Sequence, residues 1–437
     1  MESPMAKNDL NPKYTPVVCG GVRTPFLKSG TAFSDYMAYD LARFAISGLI
    51  AQTGVDLHNI DRTILGTVIQ EPRTSNIARE AALAAGIPDS KPAHTVTLAC
   101  ISANLAISQA ADQIRLGEAG VIVAGGTETM SDVPIRVSRR LRKKLLESQK
   151  YKSPLEFFKL LKGFKFSDLK PELPAIAEFS TGDTMGKSCD KLAAMFRVSR
   201  EDQDMFAIAS HKRAAAAWKD GVYDSEVIPV PAGRKGEAVE RDNGVRADSS
   251  PKKLAKLRPA FLKPHGTVTA ANASFLTDGA AVSLIASEDK AKELGLTPKA
   301  RIVDYLFVSQ DPKHELLLGP AYALPKILDR NGLKPEDIDV YEFHEAFAGQ
   351  ILANLAALSD ENFMKNKVKT KIPPFKMPMD KFNVHGGSLS IGHPFGATGS
   401  RLVNTAANRL HRENARYAVV AACAAGGQGH AMLLEKY

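Results

Sequence analysis

The chain has 437 residues, 44% of them hydrophobic and 24% charged, with a formal net charge of +9 and four cysteines. That length suits two or three ordinary domains with a large buried core, and the composition is that of a globular protein. Cysteines at 19, 100, 189 and 423 with no C-x-x-C pair argue against a disulfide scaffold and a structural zinc site, and no run of eighteen apolar residues offers a membrane span.

The first segment, Met1 to Pro16, is polar and proline-containing. It has neither the apolar core of a secretory signal nor the Arg/Ser-rich amphipathic character of a transit peptide, so a cytoplasmic location is expected. Cys19 reads as a buried small hydrophobe. Further on, Val96-Thr97-Leu98-Ala99 is a short apolar run that meets Cys100 and the helical pattern 100–116. A thiol there feels the positive end of a helix macrodipole, which favours thiolate. An apolar strand at 119–126 then reaches a small-residue turn.

From about 130 to 260 the character changes. Residues 136–170 hold twelve Lys/Arg and three Asp/Glu, a balance of 12 − 3 = +9, equal to the excess of the whole chain. Charge so localised points to one surface patch and not to a nucleic-acid-binding fold. Within it, residues 155–162 read as a basic amphipathic helix suited to a partner protein or, less readily, an anionic membrane. Packing of Phe157, Leu160, Leu161 and Phe164 on their own domain is the competing expectation. The stretch Gly182-Asp183-Thr184-Met185-Gly186-Lys187-Ser188 imitates a P-loop, but it has three residues between its glycines where that motif needs four, and no apolar strand precedes it. No G-x-G-x-x-G follows a first strand, which disfavours a nicotinamide dehydrogenase. Cys189 again reads as buried. A helix is predicted over 200–219, then a glycine- and charge-rich run over 233–250.

The last third repeats the first. Residues 417–424 echo 119–126, the helical pattern 397–412 echoes 100–116, and Glu336-Asp337-Ile338-Asp339 echoes Leu57-His58-Asn59-Ile60-Asp61 before a strand. A duplicated α/β unit explains echoes in the same order, with helices covering mostly parallel buried strands. This copy carries His344, just past a strand; His393, between Gly392 and Pro394; and Cys423, ahead of Ala424-Ala425-Gly426-Gly427. His344-Glu345-Ala346-Phe347 is not H-E-x-x-H, because residue 348 is Ala. Two thiols, a glycine-flanked imidazole and glycine-rich turns suggest covalent acyl transfer: a nucleophile, a base and backbone donors for an oxyanion.

Together these motifs resemble the thiolases, from Arg23-Thr24-Pro25-Phe26 through Gly125-Gly126-Thr127-Glu128-Thr129-Met130-Ser131, Asn272-Ala273-Ser274 and Thr277-Asp278-Gly279-Ala280-Ala281 to the C-terminal blocks. The histidine at 344, where most members have asparagine, is similar to the branch of the trifunctional enzyme β-subunit and its bacterial relatives. Ala103 and Ala425 depart from the commoner glycines. The resemblance implies an α/β fold of two βαβαβαββ halves in α-β-α-β-α layers, with a loop domain inserted. The expected segments are 1–130, a loop domain 131–260, a return over 261–297, and a second half 298–437. It implies Cys100 as nucleophile, His393 as its base, Cys423 as acid–base thiol, and His344 with His393 around a thioester oxygen. The backbone N–H groups of Cys100 and Ala425 would form a second oxyanion hole. Coenzyme A enters as co-substrate, with Ser274 at its pantetheine arm and Lys252, Lys253, Lys256 and Arg258 as candidates for its phosphates; neither a metal nor another cofactor is expected. Degradative cleavage of 3-ketoacyl-CoA is the implied activity. A short-chain acetoacetyl-CoA thiolase is the nearest rival, ahead of a decarboxylating ketoacyl synthase and a non-catalytic lipid-binding scaffold. A homodimer or tetramer is implied, with a hydratase/dehydrogenase α-subunit as a docking partner and peripheral membrane contact as a further expectation.

Overall fold

The computed structural model describes residues 11–175, 177–232 and 236–437. Its strands are β1 (Pro16–Arg23), β2 (Leu27–Lys28), β3 (Arg62–Gly66), β4 (Ala93–Val96), β5 (Val121–Glu128), β6 (Val230–Ala232), β7 (Glu237–Val239), β8 (Thr277–Ser287), β9 (Ala300–Ser309), β10 (Val340–Phe343), β11 (Tyr417–Ala424) and β12 (Gln428–Lys436). The longer helices are α1 (Ala38–Thr53), α2 (Ile77–Ala84), α3 (Ser102–Arg115), α4 (Arg139–Ser148), α5 (Met185–Met195), α6 (Arg200–Lys219), α7 (Gly319–Asn331), α8 (Ala348–Ser359) and α9 (Thr398–Arg412).

The main sheet runs β10-β11-β12-β9-β1-β8-β5-β3-β4, with β2 paired to β8. The two halves mirror each other across the β9–β1 seam, which is only two residue pairs long, Val17 with Arg301 and Val18 with Ala300. On one side β3 lies between parallel partners β4 and β5. On the other, β10 lies beside parallel β11, and the counterpart of β4 has shrunk to a single parallel bridge between Tyr341 and Phe382. The paired echoes before β3 and β10 are matching 3-10 turns, Leu57–Asn59 and Pro335–Asp337.

One expectation is corrected here. The sheet is mixed, not mostly parallel: β1, β8, β9 and β12 all pair antiparallel with their neighbours. The tight link from β11 to β12 allows this, because antiparallel strands need no crossover. That turn requires glycine, since Gly426 and Gly427 take φ of +85° and +68°.

Strand alternation sorts the core into layers. Val121 and Val123 face α1 and α2, whereas Ile122 and Ala124 face the middle of the molecule. There α3 and α9 are sandwiched between the two half-sheets, packed on Ile64 and Ile285 from one and on Val340, Val420 and Met432 from the other. The far face of the second half-sheet carries α7 and α8. Helix α9 therefore has 13 buried residues, including Arg401 and Arg409.

The stretch between β5 and β8 is not a separate lobe hung on the first half. Cys189, Leu192, Phe206 and Ala207 of α5 and α6 join the core of the second half. Buried Arg23 ties the same stretch to β1 through Asp242, at 2.6 and 2.9 Å, and Phe26 N–H donates to Asp242 at 2.7 Å. Of the 233–250 run, residues 233–235 lie outside the described residues. The basic segment is peripheral: Pro154–Leu161 is a 3-10 turn and not an α-helix, with Leu155 77%, Phe157 50%, Phe158 68% and Leu161 63% exposed. Packing onto their own domain holds only in part: Leu161 is mostly exposed, Phe157 meets Tyr151 edge-on with ring centroids 5.6 Å apart, and Leu160 and Phe164 are half-buried.

Candidate active site

Cys100 sits in the bend between β4 and α3. The preceding residue, Ala99, takes φ +46°, a left-handed conformation costly for a residue with a Cβ. Ser102 holds the bend, accepting from Leu98 N–H at 2.8 Å and donating to Ala99 O at 2.7 Å. Stored strain of this kind turns a side chain off the regular path, here toward the ends of β10 and β11.

His344 extends β10 by one residue, its N–H donating to Ala421 O at 2.9 Å. The next residue is structural: the buried Glu345 carboxylate accepts from Ser210 at 2.7 Å and from Asn383 at 2.8 Å, locking α6 and the 383–389 loop onto the site. His393 leaves the short helix Ser388–Ile391 at Gly392, whose φ of +111° bars a side chain. Its N–H donates to Thr277 Oγ1 at 3.0 Å. The two imidazoles lie against each other, ring centroids 3.9 Å apart and planes tilted by 43°. Reactive atoms of Cys100, His344 and His393 all lie within 4.8 Å of one another.

Both Nδ1 atoms are occupied, His344 with Ser388 Oγ at 2.9 Å and His393 with Thr398 Oγ1 at 2.6 Å. Both buried Nε2 atoms have no partner among the described residues. They are the free valences of the site. A thiol and two imidazoles can also ligate a soft cation, and the same three groups serve proton transfer to and from a thiol.

Burial sets the electrostatics. It pushes the Cys100 thiol up to about 11, opposed by the Ala425 N–H that donates to the sulfur. The helix end therefore does not ionise this thiol in the resting site, contrary to the sequence-based expectation; desolvation outweighs the dipole. Burial and the nearby Arg401 cation lower His393 to about 3, and burial, His393 and Arg401 hold His344 well below the ordinary range. The resting set is a neutral thiol with two neutral imidazoles. Cys423 is buried on β11, and its thiol is pushed up first by desolvation and then by the charge of Cys100. Its proton is therefore held more tightly than that of an exposed thiol.

Ala425 lies beyond β11 and is not among the residues of positive φ. Its alanine side chain thus costs the donor nothing. Ser274 is half-buried beside the site, its N–H donating to Ala346 O at 2.9 Å. Lys252 and Lys253 sit exposed on the one-turn helix Pro251–Leu254, where Lys253 pairs with Asp248. Lys256 and Arg258 are also exposed, and no hydrogen bond or ion pair joins these four side chains to the residues around Cys100 among the described residues.

Two residues to which the sequence assigned no role emerge. Buried Glu128 ends β5 and accepts from Val68, Ile69 and Gly396 N–H groups at 2.9–3.0 Å, joining both halves beneath the nucleophile. Desolvation raises its carboxyl to about 7. A Cβ on Gly126 would overlap the Gly396 carbonyl, so the halves meet there without side chains. Glu178, from the inserted stretch, accepts from Gly426 N–H at 2.8 Å and braces the turn that carries Ala425. The sequence signal for Glu128 was its place in the Gly125–Ser131 block; Glu178 had none.

A thiol on a strained bend, grouped with two imidazoles and near a second buried thiol on a duplicated scaffold, has the makings of a cysteine-dependent acyltransferase. Residues 16–289 match the family described as Thiolase, N-terminal domain, and residues 296–436 that described as Thiolase, C-terminal domain. The chain is 56% identical over 425 residues to the Homo sapiens trifunctional enzyme subunit beta, mitochondrial, covering 96% of this chain and 88% of that one. It is 41% identical over 419 residues to the 3-ketoacyl-CoA thiolase of Yersinia pestis, covering 96% of each. The crystal structure of human mitochondrial 3-ketoacyl-CoA thiolase superposes with a TM-score of 0.83 at 30% identity, covering 98% of this chain and all of that one. The chain belongs to the thiolase family.

Proposed function

We propose that this protein cleaves 3-ketoacyl-CoA with coenzyme A, releasing acetyl-CoA and a shortened acyl-CoA, as in fatty-acid β-oxidation. The observation that carries this reading is the pairing of a nucleophilic thiol, grouped with two imidazoles whose Nε2 atoms have no partner among the described residues, with a second thiol whose proton is retained. The names of the human and Yersinia relatives support the substrate class.

His393 Nε2 takes the Cys100 proton as the sulfur attacks the 3-keto carbon; transfer and C–S bond formation are coupled, because the free ion pair is disfavoured in the resting site. N–H groups of Cys100 and Ala425 hold the tetrahedral oxyanion. The C2–C3 bond breaks, and its electrons pass to an enolate whose oxygen lies against His344 and the protonated His393. Fixed donors around growing charge lower this barrier most. Cys423 protonates C2, and acetyl-CoA leaves. The Cys423 thiolate then takes the proton of an incoming CoA thiol, whose sulfur attacks the acyl group; Cys100 departs and recovers its proton from His393. Coenzyme A is the co-substrate, and Ser274 meets its pantetheine arm. Four free cysteines suit a reducing compartment such as the cytoplasm.

A hydratase/dehydrogenase α-subunit is the partner that we assign to the basic and apolar face of α4 and Pro154–Leu161, in an assembly built on a thiolase dimer. The exposure of Leu155 and Phe158, and of Arg139 and Lys143 on the helix tied to that turn through Lys144, supports it. Arg142 and Lys144 are internal ties, to Glu172 at 2.7 Å and to Leu160 O at 2.9 Å. Charge reversal at Arg139 and Lys143 should therefore weaken α-subunit co-purification without lowering thiolysis; unchanged co-purification rejects the docking face.

The deciding assay is CoA-dependent cleavage of acetoacetyl-CoA and of a long-chain 3-ketoacyl-CoA by the wild-type chain, alone and with the α-subunit. Preference for the long substrate supports the β-oxidation reading. Activity on acetoacetyl-CoA alone moves the protein to the short-chain branch, and no cleavage under either condition rejects the reading.

A further inference from the structure

We propose that Ser388, held by Arg401, is a positioning residue that fixes His344 as the Nε2–H tautomer, while Thr398 fixes His393 as the opposite one. The inference rests on the thiolase reading and says why two histidines with similar surroundings take different roles.

A hydroxyl has one hydrogen to give. Ser388 Oγ is fully buried and touches two groups: Arg401 Nη2 at 3.3 Å and His344 Nδ1 at 2.9 Å. Arginine can only donate, so Arg401 occupies a lone pair of the hydroxyl. Were His344 Nδ1 also to donate, the Ser388 hydrogen would be buried without an acceptor, which interiors avoid. Ser388 therefore donates to Nδ1, and the ring hydrogen sits on Nε2, facing Cys100. Arg401 is itself held in place, 3.5 Å from the buried Glu342 carboxylate, which Arg409 also contacts at 2.9 Å.

Thr398 works the other way. Its hydroxyl donates to Pro394 O at 3.0 Å, leaving a lone pair to accept from His393 Nδ1–H at 2.6 Å. Nε2 of His393 is then bare and able to take a proton. One imidazole enters the reaction as a hydrogen-bond donor and the other as a base, although neither is charged. The assignment is made before substrate arrives, by two hydroxyls that touch no substrate.

The test is two-bond 1H–15N spectroscopy of the full chain labelled with 15N-histidine, the two rings assigned with His344→Asn and His393→Asn variants. The expected wild-type signature is protonated Nε2 with hydrogen-bonded, unprotonated Nδ1 for His344, and the reverse for His393. Ser388→Asp offers only an acceptor, so it should move the His344 hydrogen to Nδ1 and lower kcat for thiolysis about 100-fold, with KM nearly unchanged. Ser388→Ala should shift the Nδ1 resonance and lower kcat about tenfold, and Ser388→Thr should restore both. If Ser388→Asp does not fold, the Ala and Thr pair decides. A wild-type His344 protonated at Nδ1, or a Ser388→Ala variant with wild-type kcat and Nδ1 resonance, overturns the proposal. Wild-type failure to cleave any 3-ketoacyl-CoA would instead reject the thiolase reading, and the tautomers would still be read from the spectra.

Discussion

The two halves share one scaffold and differ at the strand ends. In the first, β3 ends in Gly66-Thr67 and β5 in Gly125-Gly126-Thr127-Glu128; in the second, the matching strands end at His344 and in Cys423-Ala424. The entrance to α3 carries Cys100, and the entrance to α9 carries His393. The first half thus supplies a single thiol on a strained bend, with a buried carboxylate that fastens the halves together. The second supplies the imidazoles and the second buried thiol. The comparison teaches that duplication supplied the frame, and chemistry arose where the copies diverged, at the seam where loops from both can meet.

The sharpest way to break the comparison is to remove what each half alone provides. Cys100→Ser should lower thiolysis by more than about 10,000-fold and abolish acyl label on the protein, because no other thiol sits on the bend; retained labelling would move the nucleophile elsewhere. Cys423→Ala should lower thiolysis about 1,000-fold while Cys100 still takes up acyl label from an acyl-CoA. Loss of both activities together would mean that the second-half thiol is not a separate acid.

A finer contrast lies in the resting charge state. With the Cys100 thiol near 11 and His393 near 3, alkylation of Cys100 by iodoacetamide should rise about tenfold per pH unit from pH 7 to 10. A plateau below pH 8 would show a thiolate–imidazolium pair instead. The smallest effect belongs to the first half's carboxylate. Glu128→Ala strands three buried N–H donors and should cost about 2–4 kcal/mol in denaturant unfolding. The carboxyl of Glu128 is raised in the folded state, so its contribution is full below pH 4.5 and declines as pH rises through about 7. The deficit of the variant should therefore be larger at pH 5.5 than at pH 8, and a deficit that grows with pH would refute the buried carboxyl.

Much of the fold was legible because periodicity survives duplication. The 200–219 helix pattern is α6 residue for residue, and the echoed strands and helices recur as β5 and β11, α3 and α9. Strand direction was not legible, since a fully buried strand reads as an unbroken apolar run whether its neighbour is parallel or antiparallel. The amphipathic pattern at 155–162 misled about helix type, because its apolar side chains face outward and no packing selects an α-helix there.

By itself the sequence determined the duplicated α/β frame, the family resemblance and the four residues Cys100, His344, His393 and Cys423, because spacing and residue type survive in the linear chain. Only the tertiary structure decided their states. Depth of burial, the Arg401 cation and the partners of each Nδ1 make Cys100 a neutral thiol and give the two histidines different hydrogens. Those are properties of surroundings assembled from residues far apart in the chain, such as Glu128 and Gly396, 268 positions apart, and no local pattern encodes them.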